Sequence, residues 1–150
     1  MMRHEVEFGF DNHVYGLNKA HEDDAGYDLV ASESRNLFAG QRLLVPTAVR
    51  VAIPKGCVGL VCSRSGLARH DGVVVLNAPG IIDSGYRGQI GVVLVNHGEH
   101  VKAIQAGDRI AQLVVIPLMT TPSELVDHLN DETERGANGF GSSGTTNRLH

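Results

Sequence analysis

Apolar and β-branched residues gather in short runs separated by Gly, Pro and Asn, at positions 42–45, 48–53, 58–62, 73–76, 89–96, 101–104 and 109–117. Runs of this length between turn formers predict β-strands, and so many in one chain predict a sandwich or barrel-like all-β fold. No amphipathic stretch of helical length separates them, which excludes the repeated βαβ units of a parallel sheet. Residues 96–99 and 54–56 read as hairpin turns. One short helix is predicted over 64–70, with Ser63 as its N-cap and Gly72 ending it. Thr121, Pro122 and Glu124 have capping-box spacing, yet residues 124–128 read equally well as an edge strand. From Asn130 the chain turns polar and Gly/Ser-rich with a single aromatic, Phe140, so composition alone reads 130–150 as a mobile arm that a ligand could order. The expected organisation is a β-rich core domain over 1–129 followed by a flexible C-terminal arm over 130–150.

With 150 residues the chain fits one domain, and its 18 glycines, against a usual share of ~7 %, agree with a fold dense in turns. The formal net charge is −4 with no basic stripe, which argues against DNA or RNA as a partner and requires any anion site to be local. Cys57 and Cys62 match neither a metal-ligand spacing nor a disulfide framework and read as buried free thiols. No apolar run approaches the ~18 residues of a membrane span, and the first residues lack a signal peptide's apolar centre, so a cytoplasmic location is expected.

Candidate chemistry concentrates in the run Asn77-Ala78-Pro79-Gly80-Ile81-Ile82-Asp83-Ser84-Gly85-Tyr86-Arg87-Gly88, where a lone carboxylate sits in a Pro/Gly-shaped hairpin between an amide and an aromatic ring. Such a hairpin can read a planar ligand with its backbone while Asp83 activates a water, although an Asp beside Gly is also an ordinary turn residue. Ser63-Arg64-Ser65-Gly66 offers a guanidinium fork, hydroxyls and free amides to a phosphate, or is simply the start of a helix with a surface Arg. Gly139, Gly141 and Gly144, with Ser142, Ser143 and Arg135, repeat that offer in the tail. Eight histidines give no metal cluster by spacing; His97 and His100 flank a turn.

Together with Ala25-Gly26-Tyr27-Asp28-Leu29 and Ala106-Gly107-Asp108-Arg109-Ile110-Ala111-Gln112, these segments resemble, in order, the five motifs of the trimeric dUTP pyrophosphatases (dUTPases), over about residues 23 to 145. The resemblance implies a distorted jelly-roll or β-clip fold, an extended C-terminal arm and a homotrimer with shared active sites. It favours a strand over 124–128. It implies hydrolysis of dUTP to dUMP and pyrophosphate, with Asp83 as general base for a water attacking the α-phosphorus. It further implies that Asn77, Gly80 and Ile82 hold uracil and that Tyr86 lies against the deoxyribose. Arg64, Ser65, Gly66 and Gln112 would contact phosphate, and Arg135, Phe140, Gly141, Ser142 and Ser143 would close as a lid. Mg²⁺ would ride on the phosphates with no direct protein ligand, Asp28 reaching it through water. Asp108 and Arg109 read as a structural pair. Asn138 stands where Gly, or sometimes an acidic residue, is usual in the family, and Asn tolerates a left-handed backbone.

Two rival readings differ in class. A dCTP deaminase has a similar hairpin but requires a Glu on the following strand, where this chain has the apolar run Val92-Val93-Leu94-Val95. A non-catalytic nucleotide-binding regulatory protein would have lost members of the motif set, yet Asp83, Tyr86, Arg64, Gln112, Arg135 and Phe140 are all present. The expected partners are therefore dUTP and two further copies of the chain, with no nucleic acid and no membrane.

Overall fold

The computed structural model describes residues 6–10, 17, 19–119, 121–130 and 132–138, which divide into two units, 1–120 and 121–150. Among the described residues of the first unit there are ten strands and one helix: β1 Glu7–Phe10, β2 Gly26–Val30, β3 Arg35–Leu37, β4 Arg42–Ala52, β5 Cys57–Cys62, α1 Ser65–Asp71, β6 Val73–Val75, β7 Gly80–Ile82, β8 Gln89–Asn96, β9 Lys102–Ile104 and β10 Arg109–Pro117. The strands form two four-stranded antiparallel sheets, in the orders β1-β4-β8-β6 and β2-β10-β5-β7, and a small β3-β9 pair. The fold is thus all-β with one short helix.

Period-2 alternation fills the core. On β8, Ile90, Val92 and Leu94 are buried while Gln89 and Gly91 face outward. These residues join Leu29, Val45, Val49, Val51, Val61, Val73, Ile110 and Leu113 in a continuous apolar cluster. Asn96, fully buried at the end of β8, stays satisfied by donating Nδ2 to the carbonyls of Leu37 (3.0 Å) and His100 (2.8 Å) and accepting Gly98 N–H (2.8 Å).

Several local expectations are corrected. The runs 42–45 and 48–53 form one strand, β4, broken by a register shift between Pro46 and Arg50 in which Ala48 takes φ 58°. The turn at 54–56, closed by Cys57 N–H to Pro54 O (3.1 Å), links strands of different sheets, and 96–99 leads to β9, which pairs with β3; neither makes a hairpin. The N-cap of α1 is Arg64, not Ser63. Ser63 Oγ instead accepts Val75 N–H at 2.9 Å, fastening the entry of the helix to β6. Cys57 is buried and Cys62 half-buried, both as free thiols.

Residues 124–128 of the second unit are exposed and form no strand. The hydrogen-bonded structure in this unit includes a turn in which Gly136 (φ 51°) receives the left-handed backbone, so Asn138 does not need it. Arg135 Nε donates to Asn138 O at 2.9 Å across that turn.

Candidate active site

The segment 77–88 is an excursion between β6 and β8, which pair with each other, rather than a hairpin with paired arms. Its central strand, β7, docks on β5 with Ile82 opposite Gly59 and Gly80 opposite Val61. The Ala78–Pro79 peptide is cis. Gly80 is buried beneath the Asn77 side chain: a Cβ there would stand 3.3 Å from Asn77 Nδ2 and from Val61 Cβ. Asp83 O accepts Tyr86 N–H at 3.0 Å, closing a turn that leaves the Asp83 side chain exposed. Tyr86 donates its hydroxyl to Gln89 O at 2.9 Å, and its ring covers Gly88 so closely that any side chain at 88 would collide with it.

These residues line a pocket of ≈ 230 Å³ whose apolar wall includes Val61, Val75, Ile82, Ile90 and Val92, with Asn77, Asp83, Tyr86 and Gln89 as polar members. It is below the ~300–1,000 Å³ that encloses a drug-sized ligand, so it suits a planar base with part of a sugar rather than a whole nucleotide. Val93 also lines it, and the only carboxylate among its lining residues is Asp83.

A second, polar pocket of ≈ 280 Å³ brings together Asp24, Gly26, Asp28, Arg64, Ser65, Gly66, Arg109 and Gln112. Strand register assembles it. Gln112 on β10 stands opposite both Asp28 on β2 and Cys62 on β5, so its side chain and that of Asp28 share a face. Gln112 Nε2 donates to Ser63 O at 3.0 Å. The Asp28 carboxylate lies 3.4 Å from Arg64 Nε through one oxygen and 3.3 Å from Arg109 Nη1 through the other. Arg64 also donates Nη1 to Arg109 O at 3.0 Å. Ser65 and Gly66 are exposed in the first turn of α1.

Sequence reading missed Arg109. Asp108, the partner expected for it, accepts Gln105 N–H at 2.8 Å in the preceding turn, while the Arg109 guanidinium goes to Asp28. Nothing local signals this, because the pairing depends on the register of β10 against β2. Arg135 is described and exposed, whereas Phe140, Gly141, Ser142 and Ser143 lie outside the described residues.

The residues singled out in the core therefore fall into two pockets. β2 and β7 are opposite edges of one sheet, three strand spacings or ~14 Å apart. An Mg²⁺ ion finds no group of three His, Cys, Asp or Glu ligands among the described residues. The donor chemistry fits an ion carried by phosphates. Asp28 faces its two arginines with one oxygen each, and a carboxylate has further lone pairs to accept from metal-bound water. No helix among the described residues is long and apolar enough to cross a membrane.

The dUTPase family model matches residues 13–144. The chain is 52 % identical over 124 residues to the deoxyuridine 5'-triphosphate nucleotidohydrolase of Cutibacterium acnes, covering 82 % of this chain and 81 % of that protein. Among solved structures it resembles the Staphylococcus bacteriophage 80alpha dUTPase with dUPNHPP, with a TM-score of 0.87, 30 % identity, and coverage of 94 % of this chain and 99 % of that one. It also resembles a mutant dUTPase from phage phi11 of S. aureus that coordinates a structural Mg(II) ion, with a TM-score of 0.77, 26 % identity, and coverage of 83 % and 97 %.

Proposed function

The chain belongs to the dUTPase family, and from that premise we propose that it hydrolyses dUTP to dUMP and pyrophosphate. The observation that carries this reading is Asp83, an exposed carboxylate on the rim of a base-sized apolar pocket that also holds Asn77 and Tyr86. Asn77, with the backbone around Gly80 and Ile82, pairs with the uracil edge, where an amide supplies both donor and acceptor. Cytosine, with its pattern reversed at position 4, would leave those groups unpaired. The Tyr86 ring, held by Gln89 O, packs against the deoxyribose and leaves no room for a 2′-hydroxyl.

Asp83 accepts a proton from a water whose oxygen bonds to the α-phosphorus as the α–β bridging bond breaks; the electron pair leaves with pyrophosphate. Arg64, the hydroxyl and amides of Ser65 and Gly66, and Gln112 bind the phosphate chain, Arg64 by charge and fork geometry. Mg²⁺, when bound, would supply charge neutralisation on the phosphates, and Asp28 would help hold it through water. The arm over 130–150 closes the site, with Arg135, Phe140, Gly141, Ser142 and Ser143 contacting the nucleotide and excluding water. Homotrimeric assembly brings the base pocket of one copy to the phosphate pocket of a second and the arm of a third. Within one copy Asn77, Asp83 and Tyr86 line one pocket and Arg64, Ser65, Gly66 and Gln112 line another, a division that supports that sharing.

The role that follows is to limit uracil incorporation into DNA and to supply dUMP for dTMP synthesis, in the cytoplasm. A deaminase reading is disfavoured by Val92 and Val93, apolar in the wall where a second carboxylate would be needed. The test is product chromatography after separate incubation with dUTP, dCTP, dTTP and UTP, with Mg²⁺ and with chelator. The reading requires dUMP and pyrophosphate from dUTP alone, slowed by chelation; dUTP or dUMP formed from dCTP would replace it with deamination, and no product from any nucleotide would replace it with binding only.

A further inference from the structure

Arg109 occupies a position that strand alternation would deny it. On β10, Ala111 and Leu113 are fully buried, so strict period-2 alternation would point residue 109 into the core as well. The ladder with β2 contains a register shift: Arg109 stands opposite Val30 and Ala111 opposite the adjacent Leu29, leaving Ile110 as the extra residue. Ile110 and Ala111 are both buried in succession, and the alternation restarts inverted. Arg109 is thereby turned to the face that carries Asp28 and Gln112. The turn before it is fixed independently, by Gly107 at φ 98° and by Ala31 N–H to Asp108 O and Gly107 N–H to Ala31 O, both 2.8 Å.

From this position one residue reaches both signs of charge in the phosphate pocket. The guanidinium takes one oxygen of Asp28 at 3.3 Å, and the main-chain carbonyl accepts Arg64 Nη1 at 3.0 Å. Arg64 and Arg109 are thus bound to the same carboxylate from two sides, and Arg64 is held additionally by the backbone of its rival. The Arg109 side chain is about half exposed (51 %) against 15 % for Asp28, so the pair contributes little to stability, and a fold-building role explains it poorly.

Resting on the dUTPase reading, we propose that Arg109 is a positioning residue for the phosphate pocket: its bulge-directed guanidinium holds Asp28, and Asp28 in turn holds Arg64 at the angle the phosphate chain requires. Arg109 does not itself contact the nucleotide. Lys at 109 keeps the charge but replaces a planar fork with a point donor, and Gln removes the charge.

The test is a double-mutant cycle on the full-length protein with Asp28→Asn and Arg109→Gln, together with Arg109→Lys. It is read by steady-state kinetics on dUTP, calorimetric binding of non-hydrolysable dUpNHpp, and melting temperature. Arg109→Gln should weaken dUpNHpp binding and raise KM by about 10-fold, with kcat changed by less than about 3-fold and the melting temperature nearly unchanged. Arg109→Lys should recover part of the loss. The double variant should be no worse than Asp28→Asn alone, because Arg109 acts through Asp28. Additive losses would overturn the proposal in favour of direct contact with the nucleotide. Unchanged kinetics and binding with a lowered melting temperature would overturn it in favour of a structural pair. Failure of the wild type to bind dUpNHpp or turn over dUTP would reject the family-based function instead, a result the variants cannot mimic.

Discussion

The side-chain amide of Gln112 lies against Gly26 across the β2–β10 ladder, where a Cβ on residue 26 would stand 2.7 Å from Gln112 Oε1. Gly26 is therefore the residue that lets Gln112 reach back to Ser63 O. Gly26→Ala forces the amide aside and breaks that 3.0 Å hydrogen bond, misplacing the proposed phosphate contact without opening the core. The expected outcome is a KM for dUTP raised about 10-fold with kcat little changed, and a stability loss of about 1 kcal/mol, the value of one hydrogen bond. Kinetics and urea melts on the one variant check both, and unchanged KM would remove Gln112 from the phosphate site.

Asp83→Asn preserves shape and removes the proposed base. Because Asp83 is exposed at a pocket rim, no buried partner loses its charge, and the fold should be unaffected. kcat should fall by ~10²–10⁴-fold, the usual contribution of general base catalysis, while dUpNHpp binds about as tightly as to the wild type. A loss of analogue binding comparable to the loss of kcat would reassign Asp83 to holding the loop.

Tyr86 carries two separable functions, a ring that packs on Gly88 and a hydroxyl that ties it to Gln89 O. Tyr86→Phe keeps the ring and loses only the tie, so discrimination between dUTP and UTP should survive. Tyr86→Ala removes the proposed wall against the 2′-hydroxyl, and the ratio of kcat/KM values for dUTP and UTP should drop by about 10-fold or more, the scale of a lost steric contact. Competition assays with both nucleotides measure the ratio directly; equal ratios in wild type and Tyr86→Ala would place sugar selection elsewhere.

What could be read from the chain followed where local pattern and tertiary structure agree. β5, β8 and β10 are apolar, β-branched and long, and their positions are evident from sequence. β2, β3 and β7 are not, because Gly26-Tyr27-Asp28, Arg35-Asn36-Leu37 and Gly80-Ile81-Ile82 become strands through the neighbour they pair with rather than through their own propensity. The same limit applied to the site. Arg64, Asp28 and Gln112 could be singled out as residue types in motifs, but their convergence is a matter of register, and Arg109 reaches them only through a bulge that breaks the alternation used to read strands. Ser63 has the residue type and position of a cap for the helix ahead of it, but β6, twelve residues on, supplies the donor its hydroxyl accepts, and local sequence carries no sign of that partner.

The proposed sharing of sites between copies makes a quantitative prediction. Asp83 and the arm must come from different chains if each site draws on three, so Asp83→Asn chains and chains ending at Leu129 fail for complementary reasons. In a 1:1 random mixture of trimers, a given site has an intact Asp83 with probability one half and an intact arm with probability one half. About one quarter of wild-type activity should therefore return from two nearly inactive proteins. Co-refolded mixtures with verified trimer composition provide the measurement, with a linear dose series to separate the quarter from a small residual rate. If the arm instead folds onto the base pocket of its own chain, every chain lacks one component and mixing restores nothing. Recovery near one quarter thus distinguishes a shared site from a self-contained one without requiring a bound structure.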